Sequence, residues 1–145
     1  MPNYATAAEL VDLIPSELLT EAADDNADGT ADTGRLDSLL TAAERVVNGL
    51  ISRRYRVPID VTTGGTGSPA DFLKHCTLYL AAQLAYARRS MEKQFPHQAM
   101  VDSIVTELRD IANGIQPLFP ETKQVNTTAE IISEPSKVYS SQASA

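Results

Sequence analysis

Three groups of residues in this chain have types and spacings that suggest chemistry. The first is Asp24-Asp25-Asn26-Ala27-Asp28-Gly29-Thr30-Ala31-Asp32. Counting Asp24 as one, oxygen-bearing side chains fall at positions one (Asp24), three (Asn26), five (Asp28), seven (Thr30) and nine (Asp32), with glycine at six. That spacing matches the first half of an EF-hand loop, in which hard oxygen ligands surround Ca²⁺. Position twelve, where a bidentate carboxylate should close the site, is Arg35, and Asp37 comes two residues late. The same Asp, Asn and Gly residues also suit Asx-turns and a helix cap, and that reading is preferred. Calcium is therefore carried only as the alternative, a calcium-binding regulatory module; no cofactor is otherwise expected.

The second group is Arg53, Arg54, Tyr55 and Arg56, the one concentrated basic-aromatic patch. It can meet phosphate, complement a helix C-terminus, or contact an acidic surface of another subunit. The third is His75-Cys76. Adjacent helix positions point about 100° apart, so the pair does not face itself. A thiolate near a first helical turn would be favoured, whereas burial as a small apolar residue is the commoner fate. No HExxH, GxSxG, GxxxxGK[ST] or GxGxxG pattern occurs, and Gly64-Gly65-Thr66-Gly67 lacks the lysine of a phosphate loop. Nothing supplies a base with an orienting partner, so no enzyme is expected.

These residues must be positioned by helices. Leu36, Leu39, Leu40, Ala43, Val46, Val47, Leu50 and Ile51 follow the i, i+3, i+4 rule. Asp37, Ser38, Thr41, Glu44, Arg45, Asn48 and Ser52 fill the other face. The stretch Thr33–Ile59 thus reads as one long amphipathic helix with a basic, aromatic exit closed by Pro58, and Asp32 or Thr33 as its cap. Gly49, costly inside a helix, suggests a close neighbouring helix. Upstream, Thr6-Ala-Ala-Glu9 is a capping box before a short helix ended by Pro15, and Ser16 can cap a second short one over 17–22. Downstream, Val57–Val61 can pair as a short strand. Ser68-Pro69-Ala-Asp71 then starts a helix running to about Arg89. Its apolar surface extends nearly all round, which suits either a central place in the core or a surface shared between the core and a partner. After Pro96 a last helix, 97–113, carries Met100, Val101, Ile104, Val105, Leu108, Ile111 and Ala112, and Asn113-Gly114 stops it.

From Ile115 the helical period is lost. Leu118-Phe119, Ile131-Ile132 and Val138-Tyr139 are spaced like anchors on an extended strap, an arm that orders on a neighbour, with a dispensable tail as the alternative. The organisation expected is all-α: a small four-helix-type bundle with long central helices over residues 1–116, and an extended C-terminal arm over 117–145.

The chain has 145 residues and a formal charge of −7. Residues 1–37 hold nine acids against Arg35 alone, whereas the remainder holds eleven bases and ten acids. An acidic chain argues against general nucleic-acid binding, which relies on counter-ion release from a basic surface. Solvated charge is the default explanation of this asymmetry. The asymmetry also suits a molecule with one acidic end and one neutral or basic end, in which the acidic loop of one subunit meets the basic end of the next, head to tail. There is no apolar run long enough for a membrane span. The opening MPNYATAAEL has neither the basic nor the apolar region of a secretory signal. A single cysteine fits a reducing cytoplasm.

The order of these parts resembles the phage head–tail connector proteins of the Mu-like and long-tailed phage group. The residues that carry it are Tyr-Ala-Thr-x-x-Glu-Leu (Tyr4–Leu10), the Asp-rich loop before a helix, and Ala-Ala-Glu-x-x-x-x-Gly-Leu-Ile-x-x-Arg-Tyr-x-x-Pro (Ala42–Pro58). The loop to Pro69 and the helix bearing Leu80, Ala81 and Tyr86 extend it over about residues 4–116. The resemblance implies a structural adaptor that assembles with itself as a ring, commonly a dodecamer, beneath the portal protein. It implies docking to a tail or stopper protein and a channel through which DNA passes without sequence-specific binding. It also implies a place at the head–tail interface of the virion, reached from the host cytoplasm during assembly, with no membrane. Arg53, Arg54, Tyr55, Arg56 and the anchors Leu118, Phe119, Ile131, Ile132, Val138 and Tyr139 are then the candidate subunit or portal contacts.

Overall fold

The computed structural model describes residues 2–60 and 69–118. Among them are five α-helices and no strand: α1 (Ala7–Leu13), α2 (Ser16–Ala23), α3 (Arg35–Ile51), α4 (Pro69–Arg88) and α5 (Gln98–Ala112), with one 3₁₀ turn at Glu92–Gln94. The all-α expectation holds. Residues 57–60 carry no strand, and Val61 lies outside the described residues.

Local sequence explains most of the boundaries. Thr6 caps α1 with the full capping box. Its hydroxyl accepts from the Glu9 N–H at 3.4 Å, while the Glu9 carboxylate accepts from the Thr6 N–H at 2.9 Å. Two expected caps differ. Pro15, not Ser16, occupies the N-cap of α2, so Ser16 is its first helical residue. The N-cap of α3 is Gly34, in the left-handed region at φ 78°, because Asp32 is turned back into its own loop. The long helix ends at Ile51, not at the proline-closed exit. The chain then tightens, with the Arg54 and Tyr55 N–H groups both donating to Ile51 O.

Both α4 and α5 end in Schellman motifs. After α5, Gly114 (φ 79°) donates to Ile111 O and Ile115 to Asp110 O, as the Asn-Gly pair suggests. After α4, Ser90 takes the left-handed position (φ 56°), with Ser90 donating to Ala87 O and Met91 to Tyr86 O.

Helix α4 is the centre of the molecule. It packs against α1, α2, α3, α5 and the 3₁₀ turn. That explains its lack of a polar face: Leu73, Cys76, Leu80, Ala81, Ala82, Ala85 and Tyr86 are buried on different sides of it. Helix α3 buries Leu39, Leu40, Ala43, Val47 and Ile51 as expected. Two of its residues are exchanged, however. Val46 is 45% exposed, and Glu44, expected on the solvent face, is only 6% exposed. Among the described residues nothing lies within contact distance of a Cβ added at Gly49, so no described helix packs closely there and that expectation falls. Among the described residues no helix is long and apolar enough to cross a membrane.

Candidate subunit-contact ends of the bundle

The buried Glu44 shows how the N-terminal segment is fixed to the second half of α3. Its carboxylate accepts from Asn3 N (2.6 Å), Asn3 Nδ2 (2.6 Å) and Tyr4 N (3.2 Å). One helical turn on, Asn48 Oδ1 accepts from the Tyr4 hydroxyl at 2.6 Å, and that hydroxyl accepts from Ile59 N at 2.8 Å. Tyr4 thus ties the N-terminal segment and α3 to the exit that follows α3. Burial raises the Tyr4 hydroxyl pKa above its ordinary value, and the nearby Glu44 charge adds to the rise. The motif Tyr4–Leu10 and the motif Ala42–Pro58 therefore meet in one polar network.

The acidic end is the loop between α2 and α3. Its oxygens are turned inward onto the loop's own donors. Asp24 accepts from Asp28 N (3.1 Å) and Gly29 N (2.8 Å), and Asn26 Oδ1 from Asp28 N (3.0 Å). Asp28 accepts from Thr30 N and the Thr30 hydroxyl, which holds its carboxyl below the usual range. Asp32 accepts from Asp25 N and Asn26 Nδ2. Asp25 forms ion pairs with both Arg35 and Arg88, and Arg88 Nε also donates to Ala22 O at 2.6 Å. The five spaced oxygen residues Asp24, Asn26, Asp28, Thr30 and Asp32 thus build an Asx-turn network. Between this loop, α1 and α3 lies a recess of about 190 Å³ lined by Ala7, Ala31, Asp32, Gly34, Leu36 and Asp37.

The basic end begins about 25 Å away, the length of the 17-residue α3. Here the four patch residues separate. Tyr55 is 3% exposed and belongs to the core, its hydroxyl accepting from Leu118 N at 3.1 Å. Arg54 lies over the end of α5: a Cβ on Gly114 would meet its Nη1 at 2.8 Å. That position suits the partial negative charge of a helix C-terminus. Arg53 and Arg56 are exposed and form no hydrogen bond or ion pair with the described residues.

Leu118 is buried beside Tyr55, so the root of the C-terminal stretch sits at this end. A cavity of about 180 Å³ opens there, lined by Phe72, Glu107, Ile111, Gln116, Pro117 and Leu118. Both cavities are smaller than the roughly 300–1,000 Å³ of a small-molecule site. Phe119, Ile131, Ile132, Val138 and Tyr139, and the glycine-rich 64–67, lie outside the described residues.

Cys76 is the eighth residue of α4, two turns from its start, and is fully buried. Burial pushes its thiol up to about 12, with Glu107 adding to the rise, so the thiolate reading does not hold. His75 instead stacks on Tyr79 (ring centroids 4.6 Å), which also meets His97 at 5.3 Å. Among the described residues no group of three His, Cys, Asp or Glu side chains is arranged to hold a metal ion.

Comparison with known proteins gives one family: a model described as Bacteriophage Mu, Gp36 matches residues 4–133. No curated protein and no solved structure matches the chain.

Proposed function

The chain belongs to the bacteriophage Mu Gp36 family, and on that premise we propose that it is a structural, non-enzymatic head–tail connector. In this reading, copies form a ring under the portal, extend the DNA channel and present a surface to the tail or stopper. The observation that supports it most is the polarity of the bundle. Exposed Arg53 and Arg56 and the root of the C-terminal stretch share one end, and the Asp-rich loop stands at the other. A repeating unit with unlike ends suits heterologous, head-to-tail contacts, which close into rings when the rotation allows. A net acidic chain also suits a DNA channel, since a repulsive wall lets the duplex slide where a basic one would hold it.

The test is to mix the full chain with its cognate portal protein and follow the pair by sedimentation and electron microscopy. A ring of this protein seated on the portal is expected. A portal that sediments alone at micromolar concentrations of both proteins would overturn the connector reading.

A further inference from the structure

The recess beside the acidic loop combines three features that fit one kind of guest. Ala7, Ala31 and Leu36 give it apolar walls, and Asp32 and Asp37 place carboxylates beside them. Its volume of about 190 Å³ admits a single long side chain and not a drug-sized ligand. An arginine matches this chemistry, with an apolar stem for the walls and a planar guanidinium for the carboxylates.

The carboxylates are available. Asp37 is half-buried and has no hydrogen bond or ion pair among the described residues. Among the described residues the Asp32 carboxylate accepts only from an N–H and an amide of its own loop. Arg35, which is next to the recess in sequence, is committed to Asp25. The chain's own Arg53 and Arg56 stand at the far end of α3, about 24 Å from Asp37 along the helix, so they cannot reach it within one molecule. They are exposed and lack partners among the described residues.

We infer that the recess of one copy receives an arginine, Arg53 or Arg56, from the basic end of a second copy. This deepens the ring reading above and rests on it only for closure, since the same contact repeated without closure gives a filament. Complementary charge at the contact also selects the pairing of unlike ends over like ends.

The experiment uses the full chain at about 0.1 M salt, with native mass spectrometry and sedimentation over a concentration series. Two variants are made: Asp37→Arg, and Arg53→Asp with Arg56→Asp. Circular dichroism confirms that each is folded, and Asp37→Asn serves as the milder form should the reversal unfold α3. The wild type is expected to self-associate and each variant alone to lose on the order of tenfold or more in association constant. An equal mixture should recover it, because alternating copies make one wild-type contact and one reversed contact.

Folded variants that associate like the wild type, or a mixture of folded variants that stays dissociated, would overturn the inference. So would a wild type that is monomeric up to millimolar concentration. Rings and filaments both support the contact, and the portal experiment reads the connector role separately.

Discussion

Replacing Glu44 by Gln is the sharpest test of how the N-terminal segment is held. The carboxylate takes three N–H donors from Asn3 and Tyr4 and has no cation among its hydrogen-bond partners. Hydrogen bonds to a charged acceptor are worth about 1.5–3 kcal/mol net, and neutral ones about 0.5–1.5 kcal/mol. In the Gln variant the amide oxygen can keep the two backbone donors as neutral bonds. Its NH₂ then faces the Asn3 side chain, whose exposed amide can turn over so that Oδ1 accepts, which leaves three neutral bonds in place of three charged ones. Removing a buried charge offsets part of the loss. The expected cost is about 2 kcal/mol, a large share of the 5–15 kcal/mol typical of a domain.

Tyr4→Phe strips partners from Asn48 Oδ1 and from Ile59 N, and should cost about 1–3 kcal/mol. The two changes release the same strap, so the double variant should lose at least 0.5 kcal/mol less than their sum. Urea unfolding gives the free energies, and amide exchange at Tyr4 and Ile59 shows whether the strap has left. A Glu44→Gln protein within about 0.5 kcal/mol of wild type, with both amides still protected, would refute the reasoning.

Five other outcomes are expected. Ser90 occupies a left-handed position that glycine takes without strain, so Ser90→Gly should stabilise the protein by about 0.5–1 kcal/mol in urea unfolding. The Thr77 hydroxyl is buried without a hydrogen-bond partner among the described residues, so Thr77→Val should be neutral or stabilising by up to about 1 kcal/mol in the same assay. Cys76 should resist alkylation at pH 8 until the chain unfolds. Above its ordinary value of 9.0 the unfolded thiol releases a proton that the folded thiol keeps up to about 12, so folding weakens as pH rises through that window. The stability gap between wild type and Cys76→Ala should accordingly narrow by about 1 kcal/mol from pH 8 to pH 10. Calcium at millimolar concentration should leave the melting temperature unchanged, because Asp24, Asp28 and Asp32 already accept from the loop's N–H groups and Asp25 is held by two arginines.

The elements and the centre of the core were legible because periodicity and capping chemistry are local. The Thr6–Glu9 box, the apolar stripe of α3, the Asn113-Gly114 stop and the all-round apolar α4 each follow from residues within a few positions of one another. Glu44 was misplaced for a different reason. It stands four after Leu40, three before Val47 and seven before Ile51, so its helical position lies beside the buried face. Its charge made solvent the natural assignment, and the donors that make burial tolerable lie some forty residues away. Tyr55 was misread in the converse way: three arginines around it suggested a surface patch, while its partner Leu118 is 63 positions on. Ser90 could not be found from composition, since a left-handed cap without glycine has no sequence signal of its own.

The charges within the bundle show which ones are left over for a second molecule. Several arginines are already engaged inside the chain: Arg35 and Arg88 hold Asp25, Arg89 pairs with Glu21, and Arg54 covers the end of α5. Each acid of the loop except Asp25 is turned onto N–H donors, which stabilise a carboxylate without neutralising it. Folding therefore leaves net negative charge at one end of α3 and net positive charge at the other. A rigid helix about 25 Å long keeps them apart, beyond the roughly 10 Å over which exposed charges act at 0.1 M salt. Two copies with a net charge of −7 also repel at long range. The attraction between unlike ends must then come from close contact, where apolar walls limit screening. The Asp32–Asp37 recess is the place at the acidic end that supplies such walls.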